Sequence, residues 1–117
     1  MRTCLVGSEM CIRDRSLIDF NYEEYSEIID TVVTDVPEPW DFFENNIINN
    51  DLKWVSYLPS ISQISKINEV LIENDFENIE IKEVILRDWV VNKKILRPSN
   101  KLISHTGFII SGRYIKY

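Results

Sequence analysis

The chain has 117 residues, 44% of them apolar and 27% charged, with a formal net charge of −6. That is material for one small domain and is on the low side for a full enzyme, and no apolar run approaches the ~20 residues that carry a helix across a bilayer. The overall acidity hides an asymmetry: residues 16–88 hold 17 acidic and four basic side chains, whereas 89–117 hold Lys93, Lys94, Arg97, Lys101, Arg113 and Lys116 and no acid. Such a local basic segment is either the footprint of a polyanion or a solvated loop and tail.

The leading segment stands apart. Residues 5–14 of "CLVGSEMCIRDR" back-translate codon by codon to CTC GTG GGC TCG GAG ATG TGT ATA AGA GAC, a transposase-type sequencing adapter. Residues 1–15 are therefore read as a translated adapter and expected to be disordered, leaving 16–117 as one partial domain. Cys4 and Cys11, the only cysteines, both fall in that segment and carry no information on redox compartment. An adapter junction also implies that the gene was cut there, so that 16–117 is the C-terminal piece of a longer protein.

The elements follow in chain order. "SEIIDTVVTDV" (26–36) predicts a strand, apolar on both faces and so covered on both sides. "PWDFFENNIINN" (39–50) predicts a helix opened by Pro39, with Trp40, Phe43 and Ile47 at helical spacing. "LKWVSYLPS" (52–60) is a second strand stopped by Pro59. Residues 60–76 give the clearest helix, with Ser60 and Gln63 at capping-box spacing and Ile61, Ile64, Ile67 and Leu71 in one stripe. Residues 78–91 predict a third strand, 92–101 ("NKKILRPSNK") a basic loop, and 102–115 a fourth strand returning antiparallel to the third. Alternating strands and helices closed by an adjacent strand pair predict an α/β fold. The order strand-helix-strand-helix-strand-strand is that of the C-terminal half of a Rossmann-like, doubly wound fold: a mostly parallel sheet with one antiparallel strand. Its first strand is expected to leave an open edge.

Doubly wound folds bind ligands beyond the carboxyl ends of their strands, which is where Asp35 falls, with Pro37 and Pro39 stiffening the turn behind it. Asp35 there serves chemistry, or it only caps the next helix. Tyr57, Leu58 and Pro59 end the neighbouring strand on the same rim, and Tyr57 suits packing as well as a substrate contact. Gln63 reaches a base or closes the capping box. Trp40 reads as core rather than a stacking platform. His105, the single histidine, lacks the partners of a metal site and suits a structural or rim role, and no metal is expected. Thr106 and Gly107 shape the adjoining pocket wall.

Three blocks in order, "DTVVTDVPEPW", "VSYLPSISQISKINEVL" and "VILRDWVV…LRPSNKLISHTGFIISGR", resemble the C-terminal half of the tRNA (adenine-N1)-methyltransferases that modify adenine 58 in the T loop. The resemblance spans roughly 28–115. It implies a class I, S-adenosylmethionine-dependent methyltransferase fold, tRNA as substrate, a homotetramer in the full-length enzyme and a cytoplasmic place. The family's N-terminal β domain, glycine-rich turn and ribose-binding acid have no counterpart in these residues, so this chain alone is expected to be inactive. By the match, Asp35 carries catalysis and lies at the cofactor together with Val36 and Pro37. Tyr57, Gln63, Lys93, Lys94, Arg97, Lys101, His105 and Thr106 face the substrate, the basic ones as phosphate contacts. The alternatives are another class I methyltransferase, with a protein or small-molecule substrate, and a non-catalytic partner subunit of a tRNA methyltransferase. The intact motif around Asp35 speaks against the partner subunit.

Overall fold

The computed structural model describes residues 2–7, 11–14, 20–99 and 104–117, with side chains placed over 20–99 and 106–117. A six-stranded sheet carries the structure, in the spatial order β2-β1-β3-β4-β8-β5. Its strands are β1 (Arg2–Gly7), β2 (Cys11–Asp14), β3 (Ile29–Asp35), β4 (Leu52–Leu58), β5 (Glu77–Leu86) and β8 (Ser104–Tyr114). β3 and β4 run parallel, and β8 lies antiparallel between β4 and β5, so β5 shares the direction of β3 and β4. The expected mostly parallel core with an antiparallel return strand is present, and β8 pairs with β4 as well as with β5.

Packing follows the two-residue period of the strands. Val32 and Thr34 of β3, Trp54, Ser56 and Leu58 of β4, and Ile110 of β8 are all buried. Val32, Trp54, Leu58 and Ile110 share one cluster with Phe42 of α1 (Phe42–Asn45) and with Ile64, Ile67 and Leu71 of α2 (Ile61–Glu73). Rings fill its middle: Phe42 meets Trp54 at 5.2 Å and Phe20 at 6.0 Å, and Phe43 meets Trp54 at 4.9 Å and Phe76 at 5.7 Å between centroids. Among the described residues the expected two-sided burial of β3 does not hold. Val33, on the opposite face, is 38% exposed, and the strand alternates as a half-buried one does.

α2 forms where its signals lie. The Ser60 hydroxyl accepts the Gln63 backbone N–H at 3.4 Å, and the last turn closes with Asp75 N–H to Ile72 O (3.1 Å) and Phe76 N–H to Leu71 O (3.0 Å). That crossed pair is a Schellman closure with Asp75, at φ 65°, where glycine is usual, and buried Phe76 following the turn. Ile61, expected in the buried stripe, is 63% exposed because it sits in the first turn, beyond the sheet's cover.

Four expectations are corrected. The helix expected over 39–50 is a 3-10 turn at Pro39–Asp41 and four residues of α1, after which the chain is extended at Asn46. Asn46 diverts it: its buried amide donates to Phe20 O (3.0 Å) and Phe42 O (2.7 Å) and accepts from the Tyr22 N–H (2.7 Å). With the helix ended, Ile47 is 88% exposed and Ile48 is buried instead. The strand expected over 78–91 stops at Leu86, and the expected basic loop is a hairpin of β6 (Trp89–Asn92) and β7 (Ile95–Pro98). Its turn is Lys93-Lys94, with Lys93 at φ 53°, and Ser99 N–H donates to Asp88 O at 2.8 Å across its base. Finally, in place of an open edge on β3, β1 pairs antiparallel along it, from Arg2↔Asp35 to Gly7↔Ile29, and β2 pairs on β1. A bare strand edge is a template for any extended segment within reach, and the leading segment fills it.

At the carboxyl end of the core, the Thr34 and Ser56 hydroxyls meet at 2.6 Å across the parallel strands, and Trp54 Nε1–H donates to Ser56 Oγ at 2.7 Å, all three side chains being buried. Ser56→Ala orphans both partners at once, which costs ~1–3 kcal/mol or more. In thermal melts it should lower Tm by roughly 5–15 °C. Thr34→Val should lower it by clearly less, because Trp54 keeps its acceptor.

Candidate active site

The parallel register pairs Thr34 with Ser56, so Asp35 and Tyr57 are the next residues on neighbouring strands. Both point away from the face that α1 and α2 cover. Asp35 is exposed at the strand end, Val36 is half-buried and Pro37 is exposed. One carboxylate thus stands exposed at the sheet's rim, in register with Arg2 of β1 and followed by a turn whose prolines supply no N–H.

Tyr57 lies along the rim rather than out of it. Its hydroxyl donates to the Thr106 carbonyl at 2.6 Å, tying β4 to β8. Thr106 Oγ1–H in turn donates to Val84 O at 2.9 Å, tying β8 to β5 beside the irregularity between Val84 and Ile85. The Tyr57 ring can adopt this pose only because residue 107 is glycine: a Cβ there would stand 2.5 Å from the Tyr57 hydroxyl oxygen and 2.6 Å from Cζ. Gly107 therefore serves close approach and not an unusual backbone angle.

Gln63 closes no reciprocal capping box. Its Nε2–H donates to the Pro37 carbonyl at 3.0 Å, reaching from α2 to the turn behind Asp35. Lys66, which sequence reasoning missed, lies with Nζ 4.3 Å from the centroid of the Trp40 ring. Trp40 itself is half-buried against the core. The i, i+3 spacing of Gln63 and Lys66 was the available signal, since it puts both on one helix face.

The remaining candidates divide. Lys93, Lys94 and Arg97 are exposed on the β6–β7 hairpin, which follows β5 from the same carboxyl end of the sheet. His105 lies in β8 opposite Ile85, and its side chain lies outside the described set. Lys101 lies outside the described residues. Two open clefts lie at the other end, by the amino ends of β3 and β4. One of ≈ 400 Å³ is lined by Asp30, Asp51, Lys53 and Arg113, and one of ≈ 500 Å³ by Ser26, Asp51 and Lys116. Neither touches Asp35. Among the described residues no group of acids, histidines or cysteines has the makings of a metal centre, and no helix is long and apolar enough to cross a membrane.

Three parallel strands, an antiparallel strand inserted beside the last, and a carboxylate at the carboxyl rim define a Rossmann-like methyltransferase fold. A crystal structure of an S-adenosylmethionine-dependent O-methyltransferase from Thermotoga maritima superposes with a TM-score of 0.61 at 23% identity, over 80% of this chain and 38% of that one. The family model described as tRNA methyltransferase complex GCD14 subunit matches residues 7–107, and the chain belongs to that family.

Among curated proteins, the chain is 39% identical over 88 residues to the tRNA (adenine(57)-N(1)/adenine(58)-N(1))-methyltransferase TrmI of Methanocaldococcus jannaschii, covering 73% of this chain and 31% of that protein. It is 29% identical over 86 residues to the tRNA (adenine(58)-N(1))-methyltransferase TrmI of Thermus thermophilus, covering 72% and 34%. The crystal structure of the tRNA (m1A58) methyltransferase TrmI from Aquifex aeolicus matches with a TM-score of 0.59 at 28% identity, over 77% of this chain and 37% of that one. The chain spans about a third of the length of the curated relatives it matches.

The Tyr57–Gly107 contact is open to a direct check. Gly107→Ala should displace the ring and cost about 1–3 kcal/mol in denaturant melts. In a Tyr57→Ala background the same change should cost far less, a coupling of at least ~0.5 kcal/mol. Additive losses would mean that the two residues do not meet.

Proposed function

We propose that this segment is the C-terminal part of the catalytic domain of an S-adenosylmethionine-dependent methyltransferase acting on N1 of adenine 58 in tRNA. The observation that carries the reading is Asp35, exposed at the carboxyl end of β3, on the uncovered face beside Tyr57. The family match sets the chemistry to which that carboxylate is assigned. The segment spans about a third of its relatives, so the reading applies to the full-length protein that carries it. The 117-residue chain alone is expected to be inactive. The origin of residues 1–15 in an adapter is likewise proposed, on the codon match.

Bound S-adenosylmethionine would supply an activated methyl group on a sulfonium cation. A carboxylate at the rim suits that positive charge, so Asp35, with the Val36–Pro37 backbone beside it, fits one side of the cofactor. For the adenine, Asp35 accepts a hydrogen bond from the exocyclic amine and offsets the positive charge that the base gains when N1 is alkylated. Little proton chemistry is needed, and positioning with charge stabilisation carries the step. Tyr57 and Thr106 form the wall of the substrate side, with His105 alongside in β8. Lys93, Lys94 and Arg97, with Lys101 after them, contact tRNA phosphates and set position rather than sequence.

The assembly is proposed to be a homotetramer in the cytoplasm. Exposed apolar side chains support self-association: Ile81, Ile85 and Leu86 of β5 and Trp89, Val91 and Leu96 of the hairpin are between 47% and 71% exposed. Large apolar side chains left in water in such number suit a partner's surface.

The full-length protein, given S-adenosylmethionine and a tRNA transcript, should leave a reverse-transcription stop at adenine 58. A transcript with guanine at that position should give none. Reversing charge at Lys93, Lys94 and Arg97 together should weaken tRNA binding and reduce its salt slope by about 2–3. Methylation of another substrate, with no stop in tRNA, would sink the proposal.

A further inference from the structure

The turn that carries Asp35 has few ties of its own. Pro37 and Pro39 offer no N–H, and its backbone bonds lie at its far end, Asp41 N–H to Glu38 O at 3.2 Å and Phe42 N–H to Pro39 O. α2 restrains it further. Gln63 Nε2–H is bonded to Pro37 O at 3.0 Å, and the Lys66 ammonium covers the Trp40 ring at 4.3 Å, so two adjacent side chains on one helix face grip the two ends of the turn. Only the amide nitrogen of Gln63 can serve a carbonyl, which fixes the orientation of that amide. The helix that does the gripping is itself anchored by the Ser60 cap and by buried Ile64, Ile67 and Leu71.

We propose that Gln63 and Lys66 are positioning residues that latch the Asp35–Trp40 turn to α2 and so set where the Asp35 carboxylate points. Gln63 thereby acts through the turn and not by touching the base. The effect on chemistry rests on the methyltransferase reading above, whereas the latch itself does not.

The latch is tested on the 117-residue chain by amide hydrogen exchange of the peptide spanning 35–43 and by the ¹⁹F resonance of Trp40 in fluorotryptophan-labelled protein, assigned with Trp40→Phe. One lost hydrogen bond opens the turn about two- to tenfold more often. Gln63→Met and Gln63→Glu, which keep the shape and lose the donor, should speed exchange by that factor and shift Trp40, with Trp54 and Trp89 unmoved. Gln63→Lys, which restores a donor, should bring exchange back toward the parent value. Lys66→Gln should shift Trp40, and Lys66→Arg, which keeps a cation over the ring, should shift it less. Unchanged exchange in both donor-less variants, or equal shifts of all three tryptophans, would overturn the latch whatever the enzyme does.

In the full-length protein, Gln63→Met should lower kcat several-fold and leave tRNA KM in place, with Gln63→Lys recovering part of the loss. Faster exchange with an unchanged kcat would overturn the positioning role. An unmodified tRNA with the parent sequence would instead count against the methyltransferase reading, and the exchange result would stand.

Discussion

The rest of the structure depends on the parallel register of β3 and β4, sealed where the Thr34 and Ser56 hydroxyls meet at 2.6 Å. A slip of one residue in either strand would turn that strand's buried pair, Val32 and Thr34 or Trp54 and Ser56, out of the core. The same slip would carry Asp35 or Tyr57 under the helices. Burying a polar pair among aromatic rings is unfavourable unless each group is satisfied, and Trp54 Nε1–H completes the set. The pair therefore specifies this register against its neighbours, and with it which side of the sheet the carboxylate faces.

From that register the rim is assembled by three cross-ties, each from a different element. Tyr57 reaches across to Thr106, Thr106 to Val84, and Gln63 back to Pro37. They join β4, β8, β5, α2 and the turn after β3, and none lies in the aromatic core. The division suits the chemistry proposed: a rigid scaffold on one face, and on the other an uncovered surface that holds Asp35 and the tied-down Tyr57 ring. The hairpin then extends lysines and an arginine beyond the same end of the sheet, where a polyanion would run. The clefts at the amino ends of β3 and β4 present the wrong end of the strands.

Much of this was legible in the residues. α2 and the strands around Val32, Trp54, Val84 and Ile110 announce themselves by period, by the Ser60 cap and by Pro59. What was not legible is non-local. Nothing near Asn46 says that its amide will bond to Tyr22 and Phe20, more than twenty residues away, and end a helix that Ile47 seemed to continue. The basic residues of 92–101 read as a loop because their charges hid the short apolar run of β7, while β6 reads as the end of the preceding strand. The leading segment was set aside for its origin, yet an unpaired edge accepts a strand whatever its history. At the rim, position in the chain marked Asp35, but only the fold shows that Gly107 is there for Tyr57 and that Gln63 serves Pro37.

The central claim is that the carboxylate at the end of β3 acts on the methyl-transfer step, and Asp35→Asn in the full-length enzyme tests it most directly. The change keeps the shape of the side chain and removes its charge. Single-turnover methylation of tRNA should slow by ~10²–10³, the usual loss for one preorganised electrostatic contact. tRNA affinity measured alongside should stay at its wild-type value, because phosphate contacts carry it. Methylation at the wild-type rate would contradict the account and leave Asp35 as no more than the end of a strand.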